Sequence, residues 1–217
     1  MLDSDDLWLN NHIECCLDTL TQKEGDGLYG SLILVNTTSD EKKTVLARNL
    51  HKDESMIDYL LNTGYGAQTS TLFMTSESCK DILWDPELIN EQDYDFVIRY
   101  SKKYKLVVKE TPTTLYTLRN SSLSSFLHFD SRIRFLDKNE EDISPNIYYN
   151  YCLNLLYRAK QIGTSDEIIE YFREGASYYK ELIPFRQYLR IKEPKNLADF
   201  EKYRSEYIQY LQELKVE

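Results

Sequence analysis

Three carboxylates fall within four positions near the start of the chain, Asp3, Asp5 and Asp6, in the run Met1-Leu2-Asp3-Ser4-Asp5-Asp6-Leu7-Trp8. Charges of one sign at that spacing repel one another unless a cation sits among them. An Asp-x-Asp at a strand-to-loop edge offers oxygen ligands to a hard divalent ion and leaves coordination positions for phosphate oxygens. The same residues also read as a helix start. Ser4, Asp5 or Asp6 can accept the free amides of a helix running from Leu7 to about Leu20, and their charge suits its positive end. The cluster by itself leaves both readings open.

A second acidic run lies further on: Trp84-Asp85-Pro86-Glu87-Leu88-Ile89-Asn90-Glu91-Gln92-Asp93-Tyr94-Asp95-Phe96-Val97-Ile98-Arg99. With the opening Leu-Asp-Ser-Asp-Asp-Leu-Trp, it resembles family 2 glycosyltransferases of the GT-A fold. In these, Phe-Asp-Glu-x-Leu precedes a Glu-Asp-Trp/Tyr-Asp-Leu run ending in Arg. Trp84-Asp85 stands for Phe-Asp, Leu88 for Leu, Asp93 for the second acid of Glu-Asp, Asp95 for the next acid, and Arg99 for the basic residue. Pro86 and Gln92 depart from the pattern, each replacing a Glu. Tyr116-Thr117-Leu118-Arg119, followed by Ser121 and Ser122, is similar to the family's Tyr-Arg segment. The resemblance covers residues 1 to 125 and gives no information on the remainder.

The resemblance implies an inverting sugar transfer from a nucleotide-sugar donor to a saccharide or lipid-linked saccharide acceptor in surface polysaccharide synthesis. A departing diphosphate carries charge that a metal must balance in a site shielded from water. In the family that role falls to the Asp-x-Asp element. Asp5 would hold Mg²⁺ or Mn²⁺ between the phosphates, and Asp3 would touch the ribose or a metal-bound water. Asp6 is better placed as a helix cap. The acceptor hydroxyl needs a base as its new bond forms, and the resemblance assigns that role to Asp93. A cap at the start of its own helix is the bland alternative for Asp93. Arg99 and Arg119 are candidates for phosphate or acceptor contacts, or else solvated ion-pair partners. Acceptor contacts are expected in the loop 64–71.

These residues need elements to hold them. Apolar residues at 7, 9, 13, 16, 17 and 20 make a helical stripe, closed by Gly25-Asp26-Gly27. The aliphatic run 28–35 predicts a buried strand, 55–61 a helix, and 69–75 another strand. The segment 92–104 has helical spacing, which places Asp93 in the first turn on the inward-leaning face. Strands are expected at 105–109 and 114–118 with a turn at Glu110-Thr111-Pro112, and helices at 147–161, 165–181, 184–191 and 196–215. The expected fold is therefore α/β: a truncated GT-A-type mixed sheet with flanking helices over residues 1–140, then an all-helical extension over 145–217. Tyr148, Tyr149, Tyr151 and Tyr157 in the first tail helix suit either a platform on a membrane surface or partner, or internal packing, and packing is the commoner use of such faces.

A net charge of −10 argues against nucleic acid as a partner, because that affinity comes from clustered Lys and Arg. No run of about eighteen apolar residues occurs, and the acidic start is unlike a secretory leader. Four cysteines without metal or disulfide spacing read as reduced thiols of a cytoplasmic protein, peripheral at most to the inner membrane face. His12, His51 and His128 are scattered and are assigned no metal. The family's Pro-Thr-Tyr-Asn and Asp-Asp-Gly-Ser runs have no counterpart, so the expectation is a chain lacking the nucleotide-binding half. A homodimer or a complementing N-terminal chain would then cover the open sheet edge. A non-catalytic remnant and a helical interaction module are the competing readings.

Overall fold

The computed structural model describes residues 1–64, 66–118 and 128–178. By internal contacts the chain divides into two compact units, the first Met1–Ile143 and the second beginning at Ser144.

The first unit is a mixed α/β layer built on two long parallel strands, β2 (Gly27–Asn36) and β5 (Leu106–Leu118). The sheet order is β1-β5-β2-β3, where β1 is Leu7–Trp8 and β3 is Lys42–Val45, and β4 (Phe73–Met74) pairs with the start of β2. All pairings other than β2 with β5 are antiparallel. The near-continuous apolar composition of β2 follows from burial on both faces: its first six residues are buried, Leu28 and Leu32 completely. Each such aliphatic side chain contributes about 1.5–3 kcal/mol by leaving water. The β2–β3 turn closes through Asn36, whose Oδ1 accepts the N–H of Thr38 and of Ser39 at 2.8 and 3.2 Å, a side-chain mimic of a backbone turn.

One expectation fails within β5. Residues 105–118 are not two strands about a turn. They form one strand with a bulge, where the register passes from Gly30 opposite Lys109 to Leu32 opposite Thr114. Pro112, which has no N–H to give a ladder, sits inside that bulge. The extra residues are stapled from within, since Lys109 Nζ donates to Thr111 O at 2.6 Å and to Thr113 Oγ1 at 2.7 Å.

The helix expected from Leu7 begins later. Leu7–Trp8 is strand, and α1 spans His12–Lys23. Its N-cap is Asn11, with no side-chain cap bond. Asp6 is therefore not a helix cap, because β5 binds it first: its Oδ1 accepts the N–H of Thr117 at 2.9 Å. Helix α2 (Met56–Thr63) is capped by Ser55, whose Oγ accepts the N–H of Asp58 at 3.1 Å, and ends at Gly64 with φ of 72°, the left-handed conformation that glycine adopts without penalty. Residues 69–75 split into a 3₁₀ turn, Thr69–Thr71, and β4. Strand β3 and helices α3 (Ser76–Asp81) and α5 (Phe129–Asn139) appear where no element was expected.

Helix α4 (Gln92–Ser101) buries Phe96, Val97, Ile98 and Tyr100 against the core. The hydroxyl of Tyr100 shares a hydrogen bond of 2.7 Å with Ser78 of α3. Gly27 lies against both neighbours, where an added Cβ would meet Met74 Cγ and Tyr100 Oη at 2.8 Å.

The second unit begins with an αα-hairpin, α6 (Pro145–Ile162) and α7 (Asp166–Tyr178). Proline opens α6 and Gly163, at φ of 71°, ends it. Tyr148 and Tyr149 are buried and Tyr151 and Tyr157 half-buried. A Cβ on Gly175 would stand 2.9 Å from Cys152 Sγ, so glycine lets the two helices approach there. The helices expected at 184–191 and 196–215, together with Arg119, Ser121 and Ser122, lie outside the described residues. Among the described residues no helix is long and apolar enough to cross a membrane.

Candidate acidic site

The acidic loop is tied down along its backbone while its outer carboxylates stay available. Asp3 N–H donates to Ser70 Oγ at 3.0 Å, and Asp5 O accepts from Thr117 Oγ1 at 2.6 Å. The indole N–H of Trp8 reaches Ser70 O at 2.8 Å, and Thr114 Oγ1 donates to the same oxygen at 3.1 Å. Ser70 thus fastens the acidic loop, β1 and β5 to the 3₁₀ turn. That turn belongs to the 64–71 loop expected to meet an acceptor, so the fold brings the two together.

Asp6 is buried beneath β5, whereas Asp3 is exposed and Asp5 half-exposed. Among the described residues no hydrogen bond reaches the carboxylate of Asp3 or Asp5. Partial burial and the charges of Asp6 and Asp5 push the Asp3 carboxyl above its ordinary pKa. A crowded carboxylate pair of this kind gains from a hard cation. Two carboxylates of this kind would suit Mg²⁺ or Mn²⁺, which bind through one or two carboxylates plus phosphates and water. Among the described residues no group of three or more His, Cys, Asp or Glu side chains forms a protein-only metal cage.

Behind the loop, His12 stacks on Trp8 with ring centroids 4.2 Å apart and meets Thr113 Oγ1 through Nδ1 at 2.8 Å. Burial and the nearby Lys109 push its pKa down to about 4. It is a buried, neutral residue packed against Trp8 and hydrogen-bonded to Thr113. Lys109 itself is buried, and among the described residues no carboxylate pairs with it.

Asp93 occupies the first turn of α4, its Oδ1 accepting the N–H of Tyr94 at 3.0 Å. Its pKa is pushed up to about 7, first by burial and then by the charge of Glu91, with Asp3 adding to the same effect. Two backbone N–H groups work in the opposite direction. Part of the residue's surface remains exposed, so the desolvation is incomplete. Asp3 and Asp93 are 90 positions apart in the chain, yet the first carboxylate lies within electrostatic reach of the second. A carboxyl that titrates near neutrality can exchange a proton with a bound hydroxyl.

The other residues of the second run build the scaffold. Asp95 is buried, takes Arg99 on Oδ2 at 2.6 Å, and takes Lys138 of α5 on Oδ1 at 2.6 Å. Arg99 also donates to Leu83 O at 2.8 Å, and Lys138 reaches Asp85 at 3.0 Å. The guanidinium of Arg99 is thus spent on internal partners. Trp84 stacks on Phe96 at 4.6 Å, locking its loop onto α4.

Sequence reasoning assigned no role to Glu91, Tyr94 or Arg132. The Glu91 carboxylate meets Arg132 of α5 at 2.8 Å, and both side chains are largely shielded. Burial and the charges of Asp93 and Glu91 raise the Tyr94 phenol well above its ordinary pKa, an effect that Arg132 opposes. A helix at 129–139, had it been anticipated, would have been the signal.

No family model matches the chain. The amylovoran biosynthesis glycosyltransferase AmsB of Erwinia amylovora is 30% identical to it over 121 residues, a match that takes in 53% of this chain and 40% of that protein. The chain therefore spans less than half the length of this curated relative. Among solved structures, S. aureus TarS 1–349 in complex with UDP-GlcNAc is similar with a TM-score of 0.44 at 14% identity, over 96% of this chain and 56% of that one.

Proposed function

We propose that this chain carries the metal-and-base part of an inverting, metal-dependent glycosyltransferase of surface polysaccharide synthesis, acting on a nucleotide-sugar donor and a saccharide acceptor. The observation that supports the reading is the acidic loop fastened at Ser70 and Thr117, together with an Asp93 carboxyl pushed up to about 7 by burial, by Glu91 and, as the weakest influence, by Asp3. The sequence similarity to a polysaccharide-building glycosyltransferase supports it. Asp5 and Asp3 would hold Mg²⁺ or Mn²⁺, whose charge offsets that of a leaving diphosphate.

The chain's own residues do the rest. The Ser70 and Thr117 hydrogen bonds fix the backbone on which Asp3 and Asp5 stand, so only their side-chain rotamers remain to be set when a ligand arrives. Asp93, ionised in part at neutral pH, accepts the proton of the acceptor hydroxyl at its carboxylate while the oxygen attacks the anomeric carbon. One in-line displacement inverts that carbon.

The test is a titration of Mn²⁺ with UDP, GDP and dTDP, read by heat of binding and by Tb³⁺ luminescence sensitised from Trp8. Binding that requires the metal and disappears in Asp5→Ala is the expected result. Binding unchanged in both Asp3→Ala and Asp5→Ala would remove the metal role, and normal turnover in Asp93→Asn would remove the base.

A further inference from the structure

We infer that the first turn of α5 is the positioning element for Asp93, with Ser131 and Arg132 clamping the three residues that lead into α4; the inference rests on the base role proposed above for Asp93.

The turn 89–91 has little to hold itself. Glu91 is the N-cap of α4 in the left-handed region, at φ of 58°, and its side chain makes no capping bond to the helix. A side chain other than glycine, asparagine or aspartate rarely stays there unless its surroundings over-determine it. The restraint comes from α5. Ser131 Oγ accepts the N–H of Ile89 at 2.9 Å and of Asn90 at 3.0 Å, and it donates to Asn90 O at 3.1 Å. Asn90 Oδ1 accepts His128 N–H at 3.0 Å, which ties the same turn to the residue preceding α5. Arg132 then takes the Glu91 carboxylate at 2.8 Å, and Glu91 O accepts Asp95 N–H at 2.9 Å, the first turn of α4.

Each of residues 89, 90 and 91 therefore has a polar partner on or just before α5, and Asp93 follows two residues later. The more distal Asp95–Lys138 pair joins the same two helices, so the angle between them is fixed at two points. Arg132 does a second thing that a neutral brace would not: it balances the Glu91 charge beside Asp93. Ser131 and Arg132 touch no reacting atom in this arrangement. They are positioning residues.

The test compares Arg132→Met, Arg132→Lys and Ser131→Ala with the full chain. The probes are UDP-glucose, UDP-galactose and UDP-N-acetylglucosamine with Mn²⁺, and p-nitrophenyl hexosides as acceptors. The readout is the ratio of donor hydrolysis to sugar transfer, which does not depend on how much protein is folded. A carboxylate displaced by about 1 Å slows transfer by about 100-fold, while water finds other approaches, so the ratio should rise at least about tenfold in Arg132→Met. Arg132→Lys, which keeps the charge, should recover part of it.

Hydrogen exchange supplies a readout free of turnover. In Arg132→Met and Ser131→Ala the amides of 93–95 should exchange about tenfold faster while those of 97–100 hold. An unchanged ratio in a variant that still turns over overturns the inference. If the wild type neither transfers nor hydrolyses any of the three donors, the reading of the function falls and exchange decides alone. Protection at 93–95 equal to wild type in both variants then overturns the brace, and selective loss there upholds it.

Discussion

Replacing Asp93 by asparagine should stabilise the protein at the same time as it stops turnover. The ordinary carboxyl value of 3.8 rises to about 7 in the folded state. The folded chain thus holds this proton more tightly than the unfolded chain does. The associated stability is fully present below about pH 4 and is lost as pH climbs through 7. At roughly 1.4 kcal/mol per pH unit of difference, the complete effect is bounded at about 4 kcal/mol. Residual exposure of the residue scales this to about 2 kcal/mol. Asparagine keeps an oxygen for the Tyr94 N–H and carries no charge to desolvate. The variant should therefore melt about 4–8 °C above wild type at pH 8. The difference should shrink to nothing at pH 4, because the wild-type carboxyl is then protonated. Differential melting of the two proteins between pH 4 and 8 measures this directly, with other carboxylates cancelling between them. A variant that melts at or below the wild-type temperature at pH 8, or by the same margin at both ends, refutes the desolvated-carboxylate argument.

Asp95→Ala removes a buried carboxylate that holds two cations, Arg99 and Lys138, each about one-third exposed. Those cations can rehydrate, so the loss is nearer about 2–3 kcal/mol than the value for a fully enclosed pair, visible as an earlier urea midpoint. His12 enters the fold neutral with its pKa pushed down to about 4; stability tied to it is present above pH 6.5 and lost as pH falls toward 4, and His12→Gln should flatten that acid limb in urea titrations. Gly27→Ala drives a methyl to 2.8 Å from Met74 and Tyr100, which should destabilise by about 1–3 kcal/mol; a neutral outcome by thermal melt would mean that β4 and α4 yield freely. Removal of divalent metal by EDTA should abolish any Tb³⁺ or Mn²⁺ signal without lowering the melting temperature, because the loop is fastened by Ser70 and Thr117 rather than by metal.

What could be read in advance followed periodicity. The aliphatic run of β2, the stripe of α4 and the breakers around α6 each carry a one-dimensional signal, and those elements appear within a few residues of expectation. The signal fails where long-range pairing decides. Leu7 and Leu9 join Ile13 in a helical stripe, yet Leu7–Trp8 is strand because Leu115 and Thr114 pair with it. Asp6 looks like a cap, yet a strand 111 residues away reaches it first. Glu110-Thr111-Pro112 looks like a turn, yet Lys109 and Thr113 staple it inside a strand. Of the proposed site, Asp3, Asp5 and Asp93 stand out in the sequence as acids in a pattern, while Arg132 does not. An arginine in a polar stretch has no local mark that distinguishes a buried partner from a solvated one.

Ser70 has a consequence for how this surface can change over time. One small side chain and its carbonyl receive three threads from two distant stretches of polypeptide: the backbone of Asp3 and the indole of Trp8 from one, the hydroxyl of Thr114 from the other. A remodelled 66–71 segment cannot drift independently of Asp3 and Asp5, the residues proposed to hold the ion. On the proposed reading, the acceptor flank and the ion-holding flank share a single rivet, and a lineage that swaps the first must re-fit the second in the same stroke.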